Sequence, residues 1–207
     1  MSKSIIKLKL LFFAKVCIVF SLLIFNSNSE NYQKYNNTVV IGQDEAIVKI
    51  KIFSSLTCPH CADFHTKVVP EIKKEYVESG KVQLIFVDFP LDQAAFNASK
   101  LLHCLDQNKQ IAFLDIIYEN QSNWTQGSNI NDINNNLKKI VEKLGIDSNL
   151  FEKCLINEAI SDKILNGRID ASQKYSIDST PTIIINEEKL EGSASFKNIK
   201  KKIEKII

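Results

Sequence analysis

This 207-residue sequence carries no motif for a nucleotide, a flavin or a metal, so no cofactor is expected. It has one Cys-x-x-Cys pair and no second, and only three histidines. A zinc site built on that pair would have to conscript His65 and His103 to reach four ligands. No internal repeat is visible, which argues against a solenoid or a propeller. No low-complexity linker divides the chain, and its length fits one domain, or one domain with a large insertion. An excess of charge of one sign is also missing. With 26 basic and 24 acidic residues the net charge is +2, and nothing suggests a nucleic-acid surface. At 44% hydrophobic and 24% charged residues, the composition is that of a globular protein able to build a core without a metal.

Long apolar runs are scarce too, except at the start. Lys3, Lys7 and Lys9 form a basic region, Val16 to Phe25 is almost wholly apolar, and Ser27-Asn28-Ser29 offers small residues for cleavage before Glu30. This is the plan of a signal peptide over residues 1–29, with an uncleaved membrane anchor as the alternative. Cys17 lacks the small preceding residues of a lipid-attachment site. Cleavage would remove four lysines and no acid, leaving 22 basic against 24 acidic residues, so the apparent basicity belongs to the signal. Export to the periplasm is the expectation that follows.

Four cysteines then remain, Cys58, Cys61, Cys104 and Cys154, and an even count in an exported chain is expected to form disulfides. Spacing pairs Cys58 with Cys61, which leaves Cys104 with Cys154; for these two the alternative is a pair of buried reduced thiols. The sequons at Asn97 and Asn123 are read as chance in so asparagine-rich a chain.

The order of elements is strand, helix, strand, a long helical stretch, a strand pair and a last helix. Ile47 to Phe53 alternates apolar residues with Lys49 and Lys51, the period of a strand with one wet face. A helix follows Cys61 towards Gly80, and Pro70 predicts a kink or break between Val69 and Glu71. Val82 to Phe89 is a second strand. From Asp92 to about Gln173 only helical patterns occur, the last weakened by Gly167. Strands return at Thr182–Ile185 and, after a turn at Asn186-Glu187-Glu188, at Lys189-Leu190-Glu191. Asn198 to Ile207 is an amphipathic helix. The first strands flanking a helix read as a parallel pair with a crossover.

The chemistry concentrates in Cys58-Pro59-His60-Cys61, between a strand and a helix, where such a pair reads as a redox dithiol. Cys58 falls at the helix N-terminus, where unpaired N–H groups and the helix dipole favour a thiolate. Pro59 suits the first helical position because its missing N–H is not needed there. Cys58 is therefore the expected nucleophile, Cys61, one turn in, the resolving thiol, and His60 a positive or hydrogen-bonding neighbour. The alternative is a static disulfide or half of a metal site. His65 and His103 are expected to be structural, His65 partly exposed. Trp124, Phe113 and Tyr118 are expected in the core, and Phe64 either there or on an apolar rim.

Together with Asp88-Phe89-Pro90-Leu91-Asp92 and Ser179-Thr180-Pro181-Thr182, the Cys-Pro-His-Cys motif resembles the DsbA-like thiol–disulfide oxidoreductases over essentially the whole mature chain. That resemblance implies an α/β architecture, a thioredoxin fold with an inserted all-helical subdomain. The fold would be built from residues 30–91 and 174–207, with 92–173 inserted. It also implies a cis peptide bond before Pro181, substrate binding at Thr180 and Pro181, reduced or unfolded exported proteins as substrates, and reoxidation by a membrane quinone-linked partner. A second disulfide in the helical subdomain, here Cys104–Cys154, agrees with it. Two positions depart from the family pattern. Thr180 stands where the best-known DsbA pattern has Val and where DsbC-type isomerases often have Thr, which favours an isomerase or reductase as the alternative activity. Ile52 stands where thioredoxin-like proteins often place a buried acid that relays protons for the second thiol, so the base for Cys61 is not visible. A metal-binding or folding-helper dithiol module is the alternative from a different functional class.

Overall fold

The computed structural model describes residues 38–207; the expected signal peptide, its cleavage site and the leader to Asn37 lie outside the described residues. Five strands, β1 (Thr38–Ile41), β2 (Val48–Ser54), β3 (Val82–Asp88), β4 (Thr182–Ile185) and β5 (Glu188–Lys189), form one sheet in the order β1-β3-β2-β4-β5. β2 and β3 are parallel, as a strand–helix–strand crossover requires, and the other pairings are antiparallel. In this register Ser54 lies beside Asp88, so the C-terminal ends of both parallel strands open on the same edge of the molecule.

Side-chain alternation sorts the sheet into two faces. Val48, Ile50 and Ile52 of β2 and Val82, Leu84 and Phe86 of β3 face one core, while Phe53, Ile85 and Val87 face the other. Burial of each such side chain contributes about 1.5–3 kcal/mol.

The first core is covered by the run after Cys58. It comprises α1 (Pro59–Asp63), a π-helical stretch Phe64–Val68, α2 (Val69–Ile72) and a second π-helical stretch Lys73–Val77. The break expected at Pro70 does not occur. Pro70 sits in the first turn of α2, and the N–H of Val69 reaches back to the carbonyl of Phe64, five residues earlier. The wide turn absorbs the missing donor, and the backbone stays helical through it. Gly80, at φ 73°, ends the run in a conformation that side-chain-bearing residues avoid.

Between β3 and β4 lie α3 (Gln93–Cys104), α4 (Gln107–Glu119), α5 (Gln121–Trp124), α6 (Ile130–Glu142), α7 (Ser148–Leu155) and α8 (Glu158–Tyr175). Asp92, Asn129, Asp147 and Asn157 cap α3, α6, α7 and α8 through their side chains. Gly167 does not interrupt α8. Phe113, Trp124, Leu137 and Phe151 of these helices join the same core as the β2 and β3 side chains, so the helical layer shares the core of the sheet. The end of α8 packs Ala171 and Tyr175 on the opposite sheet face. Cys104 at the end of α3 and Cys154 of α7 are bonded, with their Cα atoms 5.9 Å apart. A final helix, α9 (Phe196–Ile203), begins two residues before the expected start because Ser195 caps it.

The hairpin β4–β5 is shorter than its pattern predicts. Asn186 and Glu187 both have positive φ, which makes a two-residue turn, and only Glu188 and Lys189 pair as β5. The turn puts Glu187 against Lys51, Lys174 and Tyr175. Burial pushes the Glu187 carboxyl up, but hydrogen bonds from Lys174, Lys51 and Tyr175 outweigh it and bring it down to about 2. A carboxyl held below its unfolded value of 4.5 adds stability above that value and loses it as pH falls through about 2. Acid titration of the unfolding midpoint is therefore expected to fall less steeply across this window in Glu187→Gln than in the parent protein. Equal slopes would show that the network contributes nothing.

Candidate redox site

The site is built where β2 ends. Cys58 is the N-cap of α1, with extended φ/ψ of −77° and 120°, and Pro59 takes the first helical position. The Cys58 carbonyl accepts from the N–H groups of Cys61 and Ala62, at 3.0 and 3.2 Å, so the helix starts on Cys58 itself. This leaves Cys58 half-buried at the surface, with Pro59 and His60 exposed, while Cys61 turns inward to 1% exposure. Both are free thiols.

The loop before the dithiol is held from two sides. The Phe89 N–H donates to the Ser54 carbonyl, the Leu91 N–H to the Ser55 hydroxyl, and the Thr57 hydroxyl to Asp92 at 2.6 Å. The Asp88–Asp92 segment thus anchors the loop. Asp92 serves twice, because its other oxygen caps α3 through the Ala95 N–H. From the other side Gln121, buried on α5, donates to the carbonyls of Leu56 and Cys58, at 2.9 and 3.0 Å. No sequence pattern marks Gln121, a glutamine in a polar stretch whose α5 was not expected at all. Gln121→Leu leaves both carbonyls without that donor and is expected to destabilise the fold by about 1–3 kcal/mol. A denaturant midpoint unchanged from the parent would remove it from the scaffold.

Facing the dithiol is the cis peptide bond Thr180–Pro181 at the head of β4. The Cys58 thiol donates to the Thr180 carbonyl at 3.3 Å. The Thr180 hydroxyl is buried without a conventional hydrogen-bond partner, yet it lies close enough to Cys61 to favour its thiolate. Burial wins that contest and pushes the Cys61 thiol up to about 12, with the neighbouring Cys58 charge adding to it. The two sulfurs are therefore unequal: one is reachable, the other dry and reluctant to ionise.

A groove of about 440 Å³ runs beside them, lined among others by His60, Phe64, Lys67, Thr180, Pro181 and Ala194. Phe64 serves both expected roles, buried in the core and forming part of this wall. Ser193, Ala194 and Ser195 complete the wall from the loop before α9, and only the tertiary fold brings them there.

The remaining candidates lie elsewhere. His65 is buried rather than partly exposed, because the π-helical turn directs it inward, where its Nε2 meets Asp115 at 2.7 Å and its ring packs on Tyr118. Asp115 is held below the usual carboxylate range by that contact. His103 is half-buried against Asp88. Trp124, Phe113 and Tyr118 are in the core as expected. Ile52 is buried, and Lys51 on the other face joins the Glu187 network.

The family model described as Thioredoxin matches residues 34–205. The chain belongs to this family. Its relatives include the "Probable disulfide bond formation protein D" of Bacillus anthracis, 28% identical over 99% of this chain and 97% of that protein. The disulfide bond formation protein D of Bacillus subtilis is 27% identical, over 80% of this chain and 75% of that one. Among solved structures, alpha-DsbA1 of Wolbachia pipientis superposes with a TM-score of 0.75 at 30% identity, covering 83% of this chain and 91% of that one. The protein is a DsbA-like thiol:disulfide oxidoreductase with a thioredoxin fold and a helical insertion.

Proposed function

We propose that this protein introduces disulfides into exported proteins in the periplasm, through Cys58-Pro59-His60-Cys61. The observation that carries the reading is the asymmetry of the pair: a reachable Cys58 sulfur beside Thr180–Pro181 and a buried Cys61 behind it. A substrate thiolate attacks the Cys58 sulfur of the oxidised pair. The Cys58–Cys61 bond breaks, its electron pair leaves on Cys61, and a mixed disulfide joins substrate to Cys58. A second substrate thiolate attacks the substrate sulfur of that bond and releases Cys58. The substrate has lost two electrons and the protein has gained them. An extended substrate segment lies in the groove and pairs with the backbone at Thr180, as a strand added to an edge. Pro59 starts the helix, and His60 flanks the exchanging sulfur.

The lysine-rich start and the apolar run Val16–Phe25 support export, and reoxidation falls to a quinone-linked membrane partner. Thr180, the residue that DsbC-type isomerases often have before this proline, supports a second reading, a reductase or isomerase kept reduced. Titration of the dithiol against a glutathione buffer separates the two. A strongly oxidising potential supports the disulfide donor, and a strongly reducing one replaces it with the reductase. A pair that fails to titrate as a two-electron couple, with metal retained after purification, would reopen the metal-binding module. Fractionation and N-terminal sequencing of the mature protein test export and cleavage before Glu30.

A further inference from the structure

Charge is spread unevenly along the chain. Of the 22 basic and 24 acidic residues after residue 29, residues 188–207 hold six lysines against Glu188, Glu191 and Glu204, an excess of +3. The remaining 16 and 21 leave residues 30–187 at −5. α9 and the turn after it concentrate the positive excess. Ile199 and Ile203 are buried and form the core face of this helix. The helical period puts Lys197, Lys201 and Lys205 on the opposite side, each exposed and four residues from the next. The backbone keeps turning past Ile203, where the Lys205 N–H reaches the Lys202 carbonyl, so the three lysines form one stripe about 12 Å long. Lys200 and Lys202 flank the stripe and are already paired, Lys200 with Glu75 and Glu204 and Lys202 with Glu188. Among the described residues no carboxylate pairs with the stripe lysines themselves. Beside the stripe, a groove of about 530 Å³ is lined among others by Lys189, Lys201, Lys202 and Lys205, with Glu188 and Glu191 as its acids.

We propose that the stripe Lys197–Lys201–Lys205 docks this protein on an anionic phospholipid surface. A helix face built only for solvent alternates the two signs of charge, whereas this one repeats a single sign at each turn. Clustered lysines on an amphipathic helix are drawn to acidic headgroups, and each adds to the attraction. The exposed residues from Phe196 to Lys205 are Lys197, Lys201, Glu204 and Lys205. None of them is apolar, so this face lacks the centre on which a protein partner packs, and lysine is depleted from such interfaces. Headgroups are mobile and need no fixed counterpart to the lysine spacing. Because Ile199 and Ile203 are committed to the core, the contact stays at headgroup level. α9 begins directly after Ser193–Ser195, which wall the redox groove, so a bilayer along the stripe passes near one end of that groove. The membrane partner proposed above would then meet the dithiol at the same surface.

Docking is measured apart from thiol exchange, so the two readings fail separately. Full-length protein is sedimented with vesicles of phosphatidylcholine, alone or with roughly 30% phosphatidylglycerol. Lysines are acetylated in the same mixtures and mapped by mass spectrometry. The expected result is binding to the anionic vesicles that high salt removes. Acetylation should slow at Lys197, Lys201 and Lys205 but not at Lys163, exposed on α8. The combined variant Lys197→Gln, Lys201→Gln, Lys205→Gln is expected to bind about 10- to 100-fold more weakly. Its exchange with a soluble substrate should keep the parent rate. The lysine map of the parent carries the test should the variant not fold. Stripe lysines equally reactive on anionic and neutral vesicles, or a folded variant that binds like the parent, would overturn the proposal. Sedimentation with both kinds of vesicle and no shielding is anchoring through the apolar N-terminal run, and overturns it as well. Shielding by polyglutamate but not by anionic vesicles replaces the membrane with an acidic protein partner.

Discussion

Cys58→Ala is expected to reduce disulfide exchange to the uncatalysed rate, while Cys61→Ala is expected to hold substrate as a covalent adduct on Cys58. The difference follows from position. Cys58 caps a helix at the surface, where a thiolate can approach in line with the sulfur–sulfur bond, whereas Cys61 is enclosed by the core and by Thr180. Without Cys58 the buried sulfur has no route to substrate. Without Cys61 a mixed disulfide on Cys58 can form but lacks the internal thiol that would reverse it. Incubating each variant with a reduced unfolded protein and its oxidised counterpart, followed by non-reducing mass spectrometry, reads both outcomes. Adducts mapped to Cys61, or full activity in Cys58→Ala, would sink the assignment of the two roles.

The second large effect is on stability. Replacing both Cys104 and Cys154 by Ala opens a loop whose ends are 50 residues apart in sequence. On the chain-entropy model this costs about 4 kcal/mol, or ~8–16 °C in Tm for a chain of this size. Truncation adds to the loss, because Cys154 is fully buried among the helices and leaves a void there. The bond ties the end of α3 to α7, so the loss is expected in the helical layer first. Hydrogen exchange should report it in α6 and α7 before the β2–β3 pair. A denaturant midpoint equal to the parent's, with unchanged slope, would mean that packing alone holds these helices.

Much of this was legible beforehand because it rests on local rules. Alternation in β2, the apolar run Leu84–Val87 of β3 and the Asp caps of α3 and α7 each depend on residues close in sequence, and they folded as their patterns predict. The break at Pro70 was also a local expectation. The run stays helical because a π-helical turn, invisible to propensity, moved the missing donor out of the way. His65 was misplaced for the same reason: the wide turn carried it inward to Asp115.

By itself, then, the sequence determined the nature of the reacting groups and their relation to the chain: a dithiol with one sulfur on a helix cap and one a turn inside. Cap geometry and helix period need only the residues between 58 and 61. What surrounds those sulfurs was decided by tertiary structure alone. Gln121 is 63 residues from Cys58, and Thr180 is 122, yet both bond to it. Asp88 and His103 meet across a strand end and a helix, and Ser193–Ser195 arrive at the groove from the far end of the chain. No pattern within a short window encodes such meetings. They follow from how β2, β3 and β4 align in one sheet and which helices the cores on its two faces draw in, a balance of packing over the whole described chain.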